Sequence, residues 1–215
     1  MTDKLTLYGA PGYGSVVVEV ALTLLDEPYE AVDIPSDSPA AFLAAARAVN
    51  PMLQVPALVL PSGELMTESA AILIWLADAH VRLAPTITDP KRPQFLRWMT
   101  FIPASIYSMY WVRDEPHRLA ATRDAEAVIL ERTAQRIADC WRIMDEQVQP
   151  GRYILGDELS VLDLYVTVVS RWTPRRKRFY EVAPKMAEVV RRVDADPRLA
   201  EFWARRFPFE DGWEG

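Results

Sequence analysis

The sequence predicts a two-part protein in which an α/β domain precedes an all-α domain. Strand and helix signals alternate between residues 4 and 80, a proline-rich stretch follows, and only helical periodicity appears beyond it. We therefore place the first domain at residues 1–80, a linker at 81–93 and the helical domain at 94–215.

The first half of the α/β domain reads as two strand and helix pairs. A short strand, Leu5 to Tyr8, ends in the glycine and proline cluster GAPGYG, and Ser15 then opens an apolar helix. Tyr29 to Ile34 has the pattern of a second strand. An alanine-rich helix is predicted to begin at Pro39, since proline is accepted in the first turn of a helix.

Two short strands and a third helix complete the domain. A strand at Ala57 to Leu60 is followed by the turn PSGE, a short strand near Leu65 and a helix from Ser69 to about His80. The predicted order is βαβαββα. Strands that alternate with helices indicate a layered sheet with some parallel pairing.

The second domain carries helical patterns only. A helix from about Gln94 to Arg113 contains Pro103, where we expect a kink. The clearest amphipathic helix follows; its apolar stripe is Leu130, Ala134, Ile137, Trp141, Met144 and Val148. Ser160 and Asp163 have the spacing of a capping box at the start of another helix.

Composition excludes several classes of function. The 215-residue chain has a net charge of -6 and an isoelectric point near 5.1, which gives nucleic-acid binding no overall electrostatic support. The basic run Arg171–Arg178 reads as a solvated helix end or loop. His80 and His117 are isolated, so no metal site is predicted.

The chain also has the character of a cytoplasmic protein. Its one cysteine, Cys140, rules out an internal disulfide, fits a reducing compartment, and reads as a packed residue of the amphipathic helix. No signal-peptide pattern and no membrane-length apolar run is present, so we expect no membrane association.

Pro56 is the first pointer to a binding site. A proline removes a backbone donor, so its position just before a strand suggests that the chain presents backbone groups of Val55 to an extended peptide. Glu68 and Ser69 stand at the start of the next helix, where free N–H groups attract a carboxylate and a glutamate can pair with an ammonium group. Together these residues suit a small peptide zwitterion.

These motifs resemble those of the cytosolic glutathione S-transferase family. The matching segments are LYGAP in the first strand, NPMLQVPAL, ESAAI, and LSVLDLYV in the second domain. The resemblance implies a thioredoxin-like N-terminal domain that binds glutathione, a helical domain that supplies the hydrophobic co-substrate pocket, and a homodimer. It also implies that Val55 pairs with the cysteinyl backbone of glutathione, Glu68 and Ser69 hold its γ-glutamyl end, and Gln54 lies near its glycyl part.

The family's thiol-activating position is ambiguous in this sequence. Matching LYGAPGYGS to the serine-type pattern selects Tyr13, the cysteine-type pattern selects Ser15 with Gly14 in place of the cysteine, and the tyrosine-type pattern selects Tyr8. Ser15 is also a natural N-cap for the first helix. The absence of cysteine from this segment argues against thiol-disulfide exchange and leaves conjugation or peroxide reduction.

The stretch SIYSMYWVRDEPHR is the candidate co-substrate pocket. In the family that it resembles, the helix after the linker faces the glutathione site, which implies that Tyr107, Tyr110 and Trp111 line this pocket. Arg113, close by in sequence, is a candidate source of charge for the acceptor. The sequence thus predicts a transferase that adds glutathione to hydrophobic electrophiles, with isomerase or dehalogenase chemistry open to the same thiolate. The alternative is an interaction module that keeps the fold with weak or no catalysis.

Overall fold

The chain folds into two compact units in a computed structural model that describes residues 4–35 and 38–209. The first unit contains the chain up to Ala84 together with Asp194–Phe209, and the second contains Pro85–Val193. The C-terminal segment therefore lies in the first unit, whereas the sequence placed it in the helical domain. That segment buries Phe202, Trp203 and Phe207, and no local pattern identifies the surface that covers them.

A four-stranded mixed sheet forms the centre of the first unit. Its strands are β1 (Leu5–Gly9), β2 (Tyr29–Asp33), β3 (Ala57–Val59) and β4 (Leu65–Met66), in the order β2-β1-β3-β4. β1 and β2 are parallel, while β3 is antiparallel to both β1 and β4. The predicted order of strands and helices is confirmed, and it is the order of a thioredoxin-like domain.

The strand register gathers four chain segments at one end of the sheet. Tyr8 lies opposite Ala57, and Leu58 lies opposite Met66. Because β1, β2 and β4 run in one direction and β3 runs in the opposite direction, the ends of β1, β2 and β4 meet the beginning of β3 at the same end of the sheet. The segments that the sequence singled out for binding therefore lie there together.

The first unit also contains helices, and the second unit is built from helices. They are α1 (Ser15–Leu25), α2 (Pro39–Arg47), α3 (Ser69–His80), α4 (Arg92–Phe101), α5 (Ser108–Asp114), α6 (Arg123–Gln147), α7 (Val161–Val169), α8 (Arg175–Val182), α9 (Pro184–Asp194) and α10 (Ala200–Arg206). α1 is buried on almost every side, which explains its run of valines, alanine and leucines. Among the described residues, the structure contains no helix with both the length and the apolarity needed to span a bilayer.

Pro103 changes the helical geometry without ending the helix. A π-helical segment, Ile102–Tyr107, joins α4 to α5. A proline cannot donate the backbone bond of a regular α-helix, and a wider turn accommodates the missing donor. The predicted single helix is thus two α-helices with a π-helical joint.

The amphipathic helix α6 buries the second half of the apolar stripe that the sequence predicted, whereas Leu130 and Ala134 are half-buried. Ile137, Trp141 and Met144 are fully enclosed, and the Trp141 ring meets Phe179 edge to face at a centroid distance of 5.3 Å. Cys140 is buried in the same helix, and burial raises the pKa of its thiol. This confirms its interpretation as a packed residue.

The capping box at α7 forms as predicted. The Asp163 carboxylate accepts hydrogen bonds from the backbone N–H of Ser160 at 2.8 Å and of Ile154 at 2.8 Å. Asp163 is completely buried, and desolvation raises its pKa to about 6 although these hydrogen bonds act in the opposite direction. The box therefore fixes both the helix start and the preceding loop.

The sequence predicted a solvated basic run, and the structure confirms this only in part, because Arg175 and Lys177 are exposed while two other arginines are buried. Arg171 and Arg176 are almost fully buried, and the Arg176 guanidinium donates to the carbonyl of Thr167 at 2.8 Å and to the Tyr180 hydroxyl at 3.3 Å. A charge run in sequence does not reveal which of its members find acceptors inside the fold. Here Arg176 joins α8 to the end of α7.

Candidate functional site

The segment before β3 is a tightly braced turn. The Asn50 side chain donates to the carbonyl of Gln54 at 2.9 Å and accepts from the N–H of Met52 at 2.9 Å, while Leu53 adopts a positive φ of 58°. Asn50 was not predicted as a site residue, although an asparagine before proline is a common turn signal. The turn leaves Gln54 exposed at the end of the sheet.

Val55 follows this turn with its backbone polar groups unused. The Val55–Pro56 peptide is cis, and Val55 is only 8% exposed. Within the part of the chain that the structure describes, no protein group forms a hydrogen bond with the N–H or C=O of Val55. Buried backbone groups are nearly always paired, so this position is suited to an extended ligand.

The start of α3 is open to an anion. Its N-cap residue, Glu68, has φ 63° and ψ 101°, is exposed, and does not cap the helix with its side chain. By contrast, α2 is capped by Ser38, whose hydroxyl accepts from the N–H of Ala41 at 3.1 Å. The Glu68 backbone is therefore strained, a conformation that costs of order 1–3 kcal/mol, and the Glu68 side chain does not cap the first turn of α3.

Ser15 is the first residue of α1, but it is not the N-cap. Gly14 occupies the N-cap position, and the buried Ser15 hydroxyl accepts from the N–H of Ala10 at 3.0 Å and lies 3.3 Å from a carboxylate oxygen of Glu19. A Cβ at Gly9 would approach the Ser15 side chain to 2.1 Å, so glycine is required there. The Ser15 hydroxyl thus braces the loop after β1 from inside.

Tyr13 and Tyr8 are connected to Val55 through one apolar cluster. Tyr13 is 40% exposed and stacks on Phe42, with ring centroids 5.6 Å apart. Phe42 and Tyr8 pack against the cluster that contains Val55. The structure therefore brings all three segments together, and Tyr13 is the most exposed of the three residues that could supply the hydroxyl.

A charged network lies beneath the same loop. The Arg206 guanidinium from α10 bonds to Asp33 at 2.6 and 2.8 Å, and its Nε lies 2.6 Å from a carboxylate oxygen of Glu19. These hydrogen bonds hold the pKa of the Asp33 carboxyl below its usual range and raise that of Arg206. The sequence did not predict this network, because Asp33 and Glu19 lie 173 and 187 residues from Arg206 in the chain.

The aromatic residues proposed for the co-substrate pocket divide into two groups. The rings of Tyr107 and Tyr110 meet Trp172 at centroid distances of 5.1 and 5.2 Å. The Tyr110 hydroxyl donates to the carbonyl of Thr173 at 2.7 Å, and burial raises its pKa. Trp111 is 46% exposed and lies under the guanidinium of Arg118.

Other polar residues singled out by sequence have local partners. Arg113 donates to the carbonyl of Leu130 and to the hydroxyl of Thr133, so it links α5 to α6. His80 lies 3.3 Å from Glu27, and His117 lies 3.5 Å from a carboxylate oxygen of Glu115. Across residues 4–35 and 38–209, no group of histidine, cysteine and acidic side chains has the arrangement of a metal site.

Comparison with known proteins identifies the class to which this fold belongs. Residues 15–79 match the glutathione S-transferase N-terminal domain, and residues 106–206 match the C-terminal domain of the same family. The Escherichia coli K12 protein described as uncharacterized GST-like protein YncG is 30% identical over 93% of this chain and 97% of its own length. Glutathione S-transferase GstA of Escherichia coli O157:H7 is 27% identical over 72% of this chain and 74% of its own.

A solved structure shows the same fold. The crystal structure of a glutathione transferase homologue from Sulfitobacter, with bound glutathione, has a TM-score of 0.79 and 24% identity over 94% of this chain and 98% of its own. The chain belongs to the glutathione S-transferase family.

Proposed function

We propose that this protein is a glutathione S-transferase that ionises the glutathione thiol and adds it to hydrophobic electrophiles. The observation that carries the proposal is the unpaired backbone of Val55 at the same end of the sheet as the uncapped start of α3. A peptide backbone satisfies the first, and a carboxylate suits the second. Glutathione has both groups, and it is bound in the Sulfitobacter structure.

Each part of the tripeptide is assigned to different binding residues. Val55, placed by Pro56, pairs with the cysteinyl N–H and C=O, while Gln54 lies near the glycyl end. The γ-glutamyl carboxylate accepts from the start of α3, at Ser69, and the exposed Glu68 carboxylate pairs with the ammonium group. The three parts of the ligand thus meet three different elements of the site.

Tyr13 is the hydroxyl that we assign to the thiolate. Ser15 has its hydroxyl engaged with Ala10 and Glu19, and Tyr8 lies within β1, whereas Tyr13 is in the loop and exposed. A free thiol with a pKa of about 8.5 is only about 3% ionised at pH 7, and a hydrogen bond that favours the thiolate by about 2.7 kcal/mol lowers that pKa by about 2. Ser15 then supports the loop that carries Tyr13.

The electrophile is assigned to the second unit. Tyr107, Tyr110 and Trp111 remain the proposed lining, with Tyr107 and Trp111 the less buried of the three. Conjugation, peroxide reduction or isomerisation all begin from the same thiolate, and detoxification is the role that such chemistry implies. We further propose a cytoplasmic homodimer, by family resemblance.

The proposal is tested by binding and turnover measured on the same preparation. We expect calorimetry to show glutathione binding at millimolar concentration or below, and the bound thiol to react with a generic aryl halide. Light scattering combined with size exclusion tests the dimer. Folded protein that does not bind glutathione would overturn the proposal.

An interaction module is the alternative function. It is favoured by the engaged hydroxyl of Ser15, which leaves the segment 10–15 without a serine or cysteine directed toward the glutathione sulfur. Binding of glutathione without turnover across conjugation, peroxide and isomerase substrates would select this alternative.

A further inference from the structure

The C-terminal helix reaches the loop that carries Tyr13 through the Arg206 side chain. The guanidinium contacts Glu19, which is 2% exposed, and a carboxylate oxygen of Glu19 lies 3.3 Å from the Ser15 hydroxyl. Ser15 in turn accepts from the N–H of Ala10 at 3.0 Å. An unbroken chain of polar contacts therefore runs from α10 to the beginning of the loop.

Arg206 also holds the loop through its backbone. The N–H of Gly12 donates to the carbonyl of Arg206 at 2.9 Å. The ring of Phe207 packs close to Gly12, since a Cβ added there would lie 3.7 Å from the ring. Gly12 has a positive φ of 77° and directly precedes Tyr13. The loop is thus fixed on both sides of Pro11 by one residue of α10.

The charges around this guanidinium favour a single position. Glu19 and Asp33 face it from α1 and β2, and burial next to Glu19 raises the pKa of Tyr29. Arg205, its neighbour in α10, is exposed. The two carboxylates therefore fix Arg206, while Arg205 has no such role.

We propose that Arg206 is a positioning residue for thiol activation, which holds the 10–14 loop so that the Tyr13 hydroxyl meets the glutathione sulfur. This inference rests on the proposed function. Thiol activation depends on a hydrogen bond of defined length, and a displacement of about 1 Å near a reacting group can lower a rate by about a hundredfold. The binding groups at Val55 and Glu68 belong to other elements and are not held by Arg206.

The test compares Arg206→Met with Arg206→Lys and with the matched control Arg205→Met. We expect Arg206→Met to bind S-methylglutathione, which has no thiol to ionise, within about threefold of the wild-type Kd. Its kcat/KM for conjugation at neutral pH falls about tenfold to a hundredfold, and the midpoint of its pH profile moves upward. Arg206→Lys restores part of the loss, and Arg205→Met behaves as wild type.

The outcomes separate this inference from a structural role and from the proposed function. An Arg206→Met protein with a lower melting temperature but an unchanged pH midpoint would overturn it, and so would a parallel loss of S-methylglutathione binding. If Arg206→Met does not fold, Asp33→Asn is used instead, because it keeps the ion pair between Arg206 and Glu19. The inference then requires the midpoint of the pH profile to move upward by a smaller amount. Wild-type protein without glutathione binding or turnover overturns the proposed function instead, and the inference with it.

Discussion

Tyr13 and Ser15 are two positions apart, but only one of them offers its hydroxyl to the surface. Ser15 turns inward to Ala10 and Glu19, while Tyr13 stacks on Phe42 and remains 40% exposed. Pattern matching alone left both open, because each residue matches a different family pattern in the segment that follows β1. Burial distinguishes them, since a hydroxyl engaged inside the protein is not available to a ligand sulfur.

Replacing each hydroxyl separately tests that distinction. We expect Tyr13→Phe to raise the apparent pKa of bound glutathione by about 1–2, and to lower kcat/KM at neutral pH about tenfold to a hundredfold, because the thiolate loses its donor. Ser15→Ala is expected to reduce the free energy of unfolding by about 1 kcal/mol with a smaller effect on the pH profile. The measurement is the pH dependence of conjugation, and the opposite ranking of the two variants contradicts the assignment.

Glu68 combines backbone strain with an exposed carboxylate at an uncapped helix start. We expect Glu68→Gln to weaken glutathione binding about tenfold to a hundredfold, because a hydrogen bond to a charged group contributes about 1.5–3 kcal/mol. Calorimetry measures the effect. Glu64→Gln, in the exposed turn between β3 and β4, is the matched control; equal weakening by both variants would mean that charge alone, and not the contact, matters.

At the scale of the element, the capping box of α7 forms as the sequence predicted, but the sequence did not predict the raised pKa of its aspartate. The spacing of Ser160 and Asp163 predicted the cap. Complete burial of Asp163 follows from packing, and it raises the pKa to about 6. A helix cap therefore becomes a pH-sensitive group.

The sign of that sensitivity follows from proton linkage. Because the pKa of Asp163 is higher in the folded state than its ordinary value of 3.8, the folded state holds the proton more tightly. The stabilisation is full below about pH 4 and is lost as the pH rises through about 6, a change of about 3 kcal/mol. Asp33, whose pKa is lowered, acts at more acidic pH and is half-exposed, so its effect is small.

Urea unfolding between pH 4 and pH 6 measures this contribution. We expect the free energy of unfolding of the wild type, relative to that of Asp163→Asn, to decrease across this interval, because the amide does not titrate. Parallel curves for the two proteins would show that Asp163 has an ordinary pKa.

At the scale of the whole molecule, the first unit is completed by a segment from the other end of the chain. Phe202, Trp203 and Phe207 are buried there, and Arg206 forms its ion pairs with Glu19 and Asp33. The structure of the N-terminal unit thus depends on the C-terminal segment.

Shortening the chain tests that dependence. A chain that ends at Val193 is expected to melt at a lower temperature and to be cleaved first within residues 4–84, because the buried carboxylate of Glu19 loses its cation and the apolar contacts of α10 are removed. A chain that ends at Phe209 keeps every contact described here and is the control. Equal melting temperatures for the two shortened chains would contradict the expectation.

The sequence by itself determined the order of strands and helices, the capping box of α7, and the two short motifs around Val55 and Glu68 that we propose bind glutathione. Each of these depends on residues within a few positions of one another, whose bonds a local pattern can specify. Only the tertiary structure decided that Ser15 faces inward, that Arg176 is buried, and that Arg206 joins Glu19 and Asp33 from 187 and 173 residues away. Those features depend on which distant surfaces pack together, and a local pattern carries no information about such contacts.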